Sequence, residues 1–245
     1  MKILKSNVTK IILASIIFPV VMILISLFVH NKNSTSVWQM LSDLLVFLVA
    51  FLLNNRYFKQ KVNWFNPRDL GQQLYTAFPA IIIIAVLDSP MLQVPDFKIK
   101  LEVIILCLFV GLAEEYIFRG ILIDLFLKLF RNNVLGAVIG SSVMFGMIHL
   151  MNLRALPIGY VSAQVLFAIA IGILFGTIYV KTRNLLIVIL LHALRDMFPM
   201  FSNKMVSEMS MTKFSIATIY VMLVFLVITL IIAYVQLNRF ELKAD

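Results

Sequence analysis

Long apolar runs follow one another along the whole chain, separated by short breaks that are rich in charged or turn-forming residues. Each run is close to the roughly 20 apolar residues that a membrane-spanning helix needs. The runs therefore predict an all-α polytopic membrane protein with about eight transmembrane helices in one bundle. Their approximate ranges are 11–29, 38–54, 71–87, 101–123, 134–150, 158–180, 185–201 and 214–236.

The loops between these runs are too short to hold a soluble domain, since the longest, 55–70, has 16 residues. We therefore predict a single transmembrane domain over residues 1–245, with any chemistry in or beside the bilayer. The first apolar run, 11–29, exceeds the apolar core of a usual signal peptide, so we expect the first helix to be retained.

Composition supports a membrane protein. Hydrophobic residues make up 62% of the chain and charged residues only 13%, with a mean hydropathy of +1.00, whereas a soluble domain carries about 25% charged residues. The net charge of +9 does not indicate a nucleic-acid partner, because the Lys and Arg residues are scattered through short loops. The single cysteine, Cys107, can form no disulfide within the chain.

The distribution of Lys and Arg predicts the orientation of the bundle. With the N-terminus inside, the cytoplasmic segments hold about twice as many basic residues as the outer segments. We therefore expect a multi-pass protein of the cell membrane with both termini in the cytoplasm.

Ionisable residues occur inside three of the predicted helices, where a charge at the bilayer centre costs about 3 kcal/mol. Such residues usually face the protein interior and take part in chemistry or transport. By contrast, Asp43 and Glu102 are expected near helix ends, at the interface, and are left out of the site. The buried set consists of Glu114, Glu115, Arg119, His149, His192 and Asp196.

In the fourth predicted helix, Glu115 and Arg119 are four residues apart and share a face, so they can form a pair. Glu114 is rotated by about 100° from Glu115. We expect Glu115 and Arg119 to form a structural pair, with Glu114 left as a free carboxylate that faces a cavity and acts as a general base. Alternatively, all three side chains form one buried ion network without chemistry.

The histidines extend the set to two more helices. Phe145 precedes His149 by one helical turn and could form a wall of the cavity, while Asp196 follows His192 by one turn and could fix its tautomer. Each histidine could also be a merely hydrogen-bonded residue of the bundle. Together the residues could supply a base that activates water and a group that stabilises an oxyanion, or three or four ligands of a metal ion.

Three motifs resemble those of the CPBP family, the CAAX prenyl-endopeptidase-like and bacteriocin-processing (Abi) intramembrane proteases. They are Glu-Glu-x-x-x-Arg at 114–119, Phe-x-x-x-His at 145–149 and His-x-x-x-Asp at 192–196. Their order and approximate spacing match the family, and the motif region covers about residues 101–200. The last motif position is Asn in some relatives and Asp in this chain.

The resemblance implies that the protein is an intramembrane endopeptidase. It assigns the activation of water to Glu114 and His149, stabilisation of the oxyanion to His192 and Asp196, and support of the site to Glu115, Arg119 and Phe145. Metal-dependent and metal-free glutamate mechanisms are both proposed for this family. We expect the glutamate mechanism without committing to a cofactor. If one zinc ion is required instead, its ligands would be Glu114, His149 and His192.

The substrate class implied by the resemblance is a peptide or a membrane protein, such as a bacteriocin precursor, a peptide pheromone or a regulatory protein. One alternative within the family is bacteriocin self-immunity or regulation that acts partly by binding. A second alternative is a proton-coupled transporter that uses Glu114, His149 and Asp196 as a relay, although no inverted repeat is evident.

Overall fold

In a computed structural model, residues 2–28, 36–88, 97–200 and 215–238 are described, and every regular element in these ranges is helical. The α-helices are α1 Lys2–Phe28, α2 Ser36–Leu53, α3 Leu70–Leu87, α4 Phe97–Glu115, α5 Ile123–Leu129, α6 Val134–Ile148, α7 Ile158–Thr182, α8 Leu185–Met200 and α9 Ile216–Leu237. Helices α4 and α5 are joined by a π-helical turn, Tyr116–Leu122, so that these segments form eight rods. The prediction of an all-α bundle of about eight helices is confirmed.

The largest difference from the predicted bounds is at α1, which begins at Lys2 instead of residue 11. The fourth rod also differs, because it continues to Leu129 instead of ending at residue 123. The apolar run ends at Asp124, but this carboxylate lies 3.9 Å from the Arg183 guanidinium, and Lys128 donates to the side chain of Gln60. Because both charges have partners in the bundle, the helix continues past the end of the hydrophobic pattern.

Six helices in the described part of the chain are long and apolar enough to cross a membrane. They are Ser6–Phe28, Val37–Phe58, Leu70–Leu87, Val134–Arg154, Ile158–Thr182 and Ile216–Leu237. The two rods outside this set are α4–α5 and α8, which carry most of the ionisable residues singled out above. Helix α8 has only 16 residues, whereas the α4–α5 rod carries Glu114, Glu115 and Arg119 near its middle.

The centre of the bundle is α7, which packs against α6 on one side and α9 on another, while α4 packs against α8 and α2. Small residues allow the close approach of α6 and α7. A Cβ atom on Gly172 would lie 3.1 Å from Ser142, and one on Gly176 would lie 3.0 Å from Val138. Close contact between these two helices places Phe145 and Gly172 together beside the site.

Gly146 provides a direct test of this packing. A Cβ atom at this position would lie 2.4 Å from Ile169 Cγ1 and 3.0 Å from the Val165 carbonyl oxygen. We expect Gly146→Ala to lower the free energy of unfolding by about 1–3 kcal/mol, the usual cost of overpacking. Unfolding in mixed micelles measures the effect, and Gly71→Ala is the control because nothing lies within 4 Å of its added Cβ. Equal stability of the two variants would contradict the packing.

The segment 59–69, between α2 and α3, sets the position of α8. The carbonyl groups of Asn63 and Trp64 accept hydrogen bonds from the amides of Leu185 (2.9 Å) and Leu186 (3.0 Å). These amides are in the first turn of α8, where no intrahelical partner exists. The segment therefore fixes the start of the helix that carries His192.

The same segment packs on the π-helical turn that follows α4. The Trp64 ring stacks on Tyr116 with 5.4 Å between the ring centroids. Val62 lies against Gly120, where a Cβ atom would be 3.1 Å from a Val62 methyl carbon. Both rods that carry the ionisable site residues are thus held by one short connection.

Candidate active site

Glu114 and Glu115 are the last two residues of α4, and Arg119 follows within the π-helical turn. Glu115 and Arg119 are fully buried, and Glu114 retains only 7% of its accessible surface. π-helical turns inside α-helices are frequent at functional sites. In this chain the turn is itself entirely buried, so it presents the acids and the arginine to the interior of the bundle.

The predicted pair of Glu115 and Arg119 is present, with 2.7 Å between Glu115 Oε1 and Arg119 Nη1. Arg119 Nη2 also donates to the Gly172 carbonyl oxygen at 3.2 Å. The guanidinium carbon lies 4.6 Å from the centroid of the Phe145 ring. Arg119 therefore connects the end of α4 to α6 and α7 through one ion pair, one hydrogen bond and one aromatic contact.

His192 lies among three carboxylates. Its Nδ1 is 2.6 Å from Glu115 Oε1, and its Nε2 is 3.3 Å from Glu114 Oε2 and 3.2 Å from Asp196 Oδ2. A neutral imidazole donates through one nitrogen only. His192 can donate through both ring nitrogens only as an imidazolium. If the ring is neutral, Glu114 or Asp196 must hold a proton and donate it to Nε2.

The contacts of Glu114 and Glu115 differ in two details from the sequence prediction. Glu114 does not face an open cavity alone, because its carboxylate approaches the ring of His192. Glu115 also has two partners and not one, since the oxygen that pairs with Arg119 is the one beside His192 Nδ1. The packing of α8 against α4 brings both acids to the same histidine, a contact between helices that spacing within one helix cannot predict.

His149 begins a 3₁₀-helical segment, His149–Arg154, that follows α6. Its Nδ1 lies 3.2 Å from the carbonyl oxygen of Phe145. A carbonyl oxygen can only accept, so Nδ1 carries the proton and, in the neutral ring, Nε2 is left as an acceptor. His149 is thus prepared to accept a hydrogen bond from a water molecule.

Phe145, which was predicted to form a wall of the cavity, lies beside both histidines. It is 97% buried, with ring centroids 5.3 Å from His149 and 5.7 Å from His192. Both contacts are edge-on, so the aromatic ring limits how the imidazoles can turn. Glu114, Glu115, His192 and Asp196 are in direct contact around one point, whereas His149 approaches them across the Phe145 ring.

A zinc ion in a catalytic site takes at least three protein ligands. Within the described residues, no three His, Cys, Asp or Glu side chains are grouped so as to hold a metal ion. Both nitrogens of His192 already face carboxylates. In this arrangement Glu114, His149 and His192 are not grouped as the three ligands that a catalytic zinc ion would need.

Asp43 is a residue of the site region that the sequence prediction placed wrongly. It was expected at the membrane interface, but it is fully buried in α2. Its Oδ2 accepts a hydrogen bond from Gln39 Nε2 at 3.0 Å. The signal in the sequence is the glutamine one helical turn earlier, which donates to one oxygen of the carboxylate, while Oδ1 is buried and has no hydrogen-bond partner among the described residues.

A second ion pair supports α8 beside Asp196. Arg195 Nη1 donates at 3.2 Å to Oδ1 of Asp88, the residue that follows α3. The Arg195 guanidinium carbon also lies 4.6 Å from the Phe167 ring centroid. The arginine therefore ties α8 to α3 and α7, while the adjacent Asp196 turns towards His192.

Comparison with known families gives one match. The model described as type II CAAX prenyl endopeptidase Rce1-like matches residues 97–198, from the start of α4 to nearly the end of α8. All three motifs lie inside this segment. No curated protein and no solved structure matches the chain. Residues 97–198 are thus Rce1-like, and the resemblance to the family of CAAX proteases and bacteriocin-processing proteins is confirmed.

Proposed function

We propose that this protein is an intramembrane endopeptidase that hydrolyses a peptide bond with water activated by Glu114 and His149. The observation that carries the proposal is the position of His192, whose two ring nitrogens lie within 3.3 Å of three carboxylates inside a membrane bundle. A purely structural ion pair needs one acid and one base, and the surplus of buried acids is better explained by proton transfer.

Glu114 is the proposed general base. Its carboxylate is at the edge of the cluster and keeps a small exposed fraction, whereas Glu115 is fully buried and pairs with Arg119. In the proposed step, water passes one proton to Glu114 while its oxygen bonds to the carbonyl carbon of the substrate. His149 Nε2 accepts the second hydrogen bond of the same water and orients its lone pair.

His192 is the proposed oxyanion-stabilising group. Glu115 accepts from Nδ1 and thereby favours a charged ring, so Nε2–H can donate to the oxygen that becomes negative in the tetrahedral intermediate. The intermediate collapses when Glu114 returns its proton to the leaving nitrogen and the C–N bond breaks. The products are a carboxylic acid and an amine, and the protein recovers its original protonation.

Arg119 and Phe145 are proposed as positioning residues. Arg119 holds Glu115 through the 2.7 Å ion pair and thus fixes the acceptor of His192 Nδ1. Phe145 covers Arg119 and touches both histidines. Neither side chain is proposed to contact the substrate.

We further propose that the substrate is a peptide or membrane protein that reaches the site laterally or from the cytoplasmic side, and that both termini are cytoplasmic. The excess of Lys and Arg in the segments on that side supports this orientation. The multi-pass bundle and the match to a membrane protease family support a substrate within the bilayer.

Two variants of Asp196 test the proposed oxyanion site. Asp196→Asn keeps an acceptor for His192 Nε2 and adds an N–H that can donate to the oxyanion, so we expect kcat within about tenfold of the unmodified protein. Asp196→Ala removes the acceptor for His192 Nε2 and supplies no donor in its place, so it is expected to lower kcat by at least tenfold. Steady-state cleavage kinetics separate the two; equal losses in both variants would contradict the role.

The proposal as a whole is tested with the full chain purified in detergent micelles. A peptide library, with arms that do and do not carry a prenylated cysteine, is incubated with the protein and analysed by mass spectrometry. We expect pairs of fragments whose masses sum to one substrate plus one water. If a library that covers both arms yields no such pair, the endopeptidase proposal is rejected and a binding role is favoured.

A further inference from the structure

Outside the candidate active site, the bundle has a groove between α3, the last turn of α7 and α9. Its volume is about 350 Å³. The walls are largely apolar and include Phe78 and Pro79 of α3 and Ile231 and Val235 of α9. These elements belong to none of the three motifs, so the groove is separate from the proposed catalytic chemistry.

One end of the groove carries a positive charge. Lys181, in the last turn of α7, lines it and is only partly exposed. No carboxylate is paired with Lys181 in the part of the chain that the structure describes. A lysine near a bilayer interface can extend its amine to water. Lys181, however, borders a concave apolar surface. A ligand with an anionic group and a hydrophobic chain could therefore bind the ammonium and the apolar walls together.

The same groove contains the polar side chain of Gln236, one atom of which has no hydrogen-bond partner among the described residues. Gln236 Nε2 donates to the Thr76 carbonyl oxygen at 3.4 Å, which fixes the orientation of the amide. Its Oε1 is buried and meets no hydrogen-bond donor among the described residues. A buried amide oxygen without a hydrogen-bond partner is unfavourable, and a donor on a ligand would supply that partner.

We propose that the groove binds an anionic phospholipid whose head group carries a hydroxyl, as that of phosphatidylglycerol does. The acyl chain lies along the apolar wall formed by α3 and α9. The phosphate accepts from the Lys181 ammonium, and the head-group hydroxyl donates to Gln236 Oε1.

This lipid site does not depend on the proposed protease activity. No residue that lines the groove belongs to the set of Glu114, Glu115, His149, His192 and Asp196. Lipid binding is therefore expected to survive Glu114→Gln, and a failure of either proposal leaves the other unaffected.

Native mass spectrometry of the full chain in detergent tests the site, with equal concentrations of phosphatidylglycerol and phosphatidylcholine as probes. We expect the protein to retain phosphatidylglycerol preferentially, and Lys181→Gln to lower its occupancy at least fivefold. The matched control is Lys59→Gln, because Lys59 is exposed and lies outside the groove. This control should bind like the unmodified protein.

A second variant covers the case in which Lys181→Gln fails to fold. Gln236→Leu keeps the groove and its charge but removes the acceptor, so it should weaken phosphatidylglycerol binding at least twofold and leave phosphatidylcholine unchanged. Equal retention of the two lipids by the unmodified protein would overturn the proposal. So would phosphatidylglycerol binding that is the same in Lys181→Gln, Gln236→Leu and Lys59→Gln.

Discussion

Replacing Glu114 with glutamine is expected to lower kcat by at least about 10²-fold and as much as 10⁴-fold, the range associated with loss of a general base. The amide is similar in size to the carboxylate and can still lie 3.3 Å from His192 Nε2, so folding should be retained. It cannot accept the proton of water at a useful rate. Initial rates of peptide cleavage, with KM determined separately, measure the effect.

The matched control for this prediction is Glu102→Gln. Glu102 is on the same helix, α4, but is exposed, and the substitution is chemically identical. Its kcat should stay within about twofold of the unmodified protein, in line with the small effects of most surface substitutions. If Glu114→Gln cleaves as fast as Glu102→Gln, the carboxylate is not the base and the mechanism is wrong.

Arg119→Met is expected to produce the largest loss of stability, about 3–5 kcal/mol in the free energy of unfolding. This is the usual cost of removing one partner from a buried ion pair, because the remaining charge is left without compensation. Here the remaining charge is Glu115, which is fully buried and would keep only His192 Nδ1 as a partner. The lost hydrogen bond to the Gly172 carbonyl oxygen adds to the cost. Unfolding of the variant in mixed micelles measures the change.

Two further variants identify the source of that loss. Arg56→Met makes the same substitution at an exposed arginine and should change stability by no more than about 0.5 kcal/mol. The double variant Glu115→Leu with Arg119→Met removes both charges and should be more stable than Arg119→Met alone. If the free energy of unfolding lost by the double variant equals the sum of the losses of Glu115→Leu and Arg119→Met measured separately, the pair does not act as a unit.

The sequence alone predicts the eight rods because each long apolar run must form a helix in order to satisfy its backbone in lipid. It also predicts the contacts within single helices. Glu115 meets Arg119 and His192 meets Asp196 at 2.7 and 3.2 Å, because residues four apart share a helix face.

Contacts between helices could not be predicted in the same way. The approach of Glu114 and Glu115 to His192 depends on how α4 and α8 pack, and the start of α8 is set by backbone hydrogen bonds from the segment 59–69. That segment has no apolar periodicity and no motif. The contact therefore arises from hydrogen bonds that leave no recognisable pattern in the sequence.

Asp43 shows why hydropathy alone misplaces some charges. The profile locates a residue along the membrane normal but does not say which way its side chain turns, so an acid near the end of a run is expected at the interface. Asp43 instead is buried in the bundle and accepts a hydrogen bond from Gln39 on its own helix. A partner one turn away is the signal that separates a buried acid from an interfacial one.

The most direct test of the account is cleavage of one identified peptide bond in water enriched in ¹⁸O, with a metal chelator present throughout. We predict that the unmodified protein inserts one ¹⁸O atom into the new carboxylate and that Glu114→Gln forms no labelled product, while Glu102→Gln behaves like the unmodified protein. Labelled product formed by Glu114→Gln at the unmodified rate would contradict the assignment of the catalytic base. Loss of labelling by the unmodified protein in chelator, with recovery on added zinc, would contradict the metal-free site.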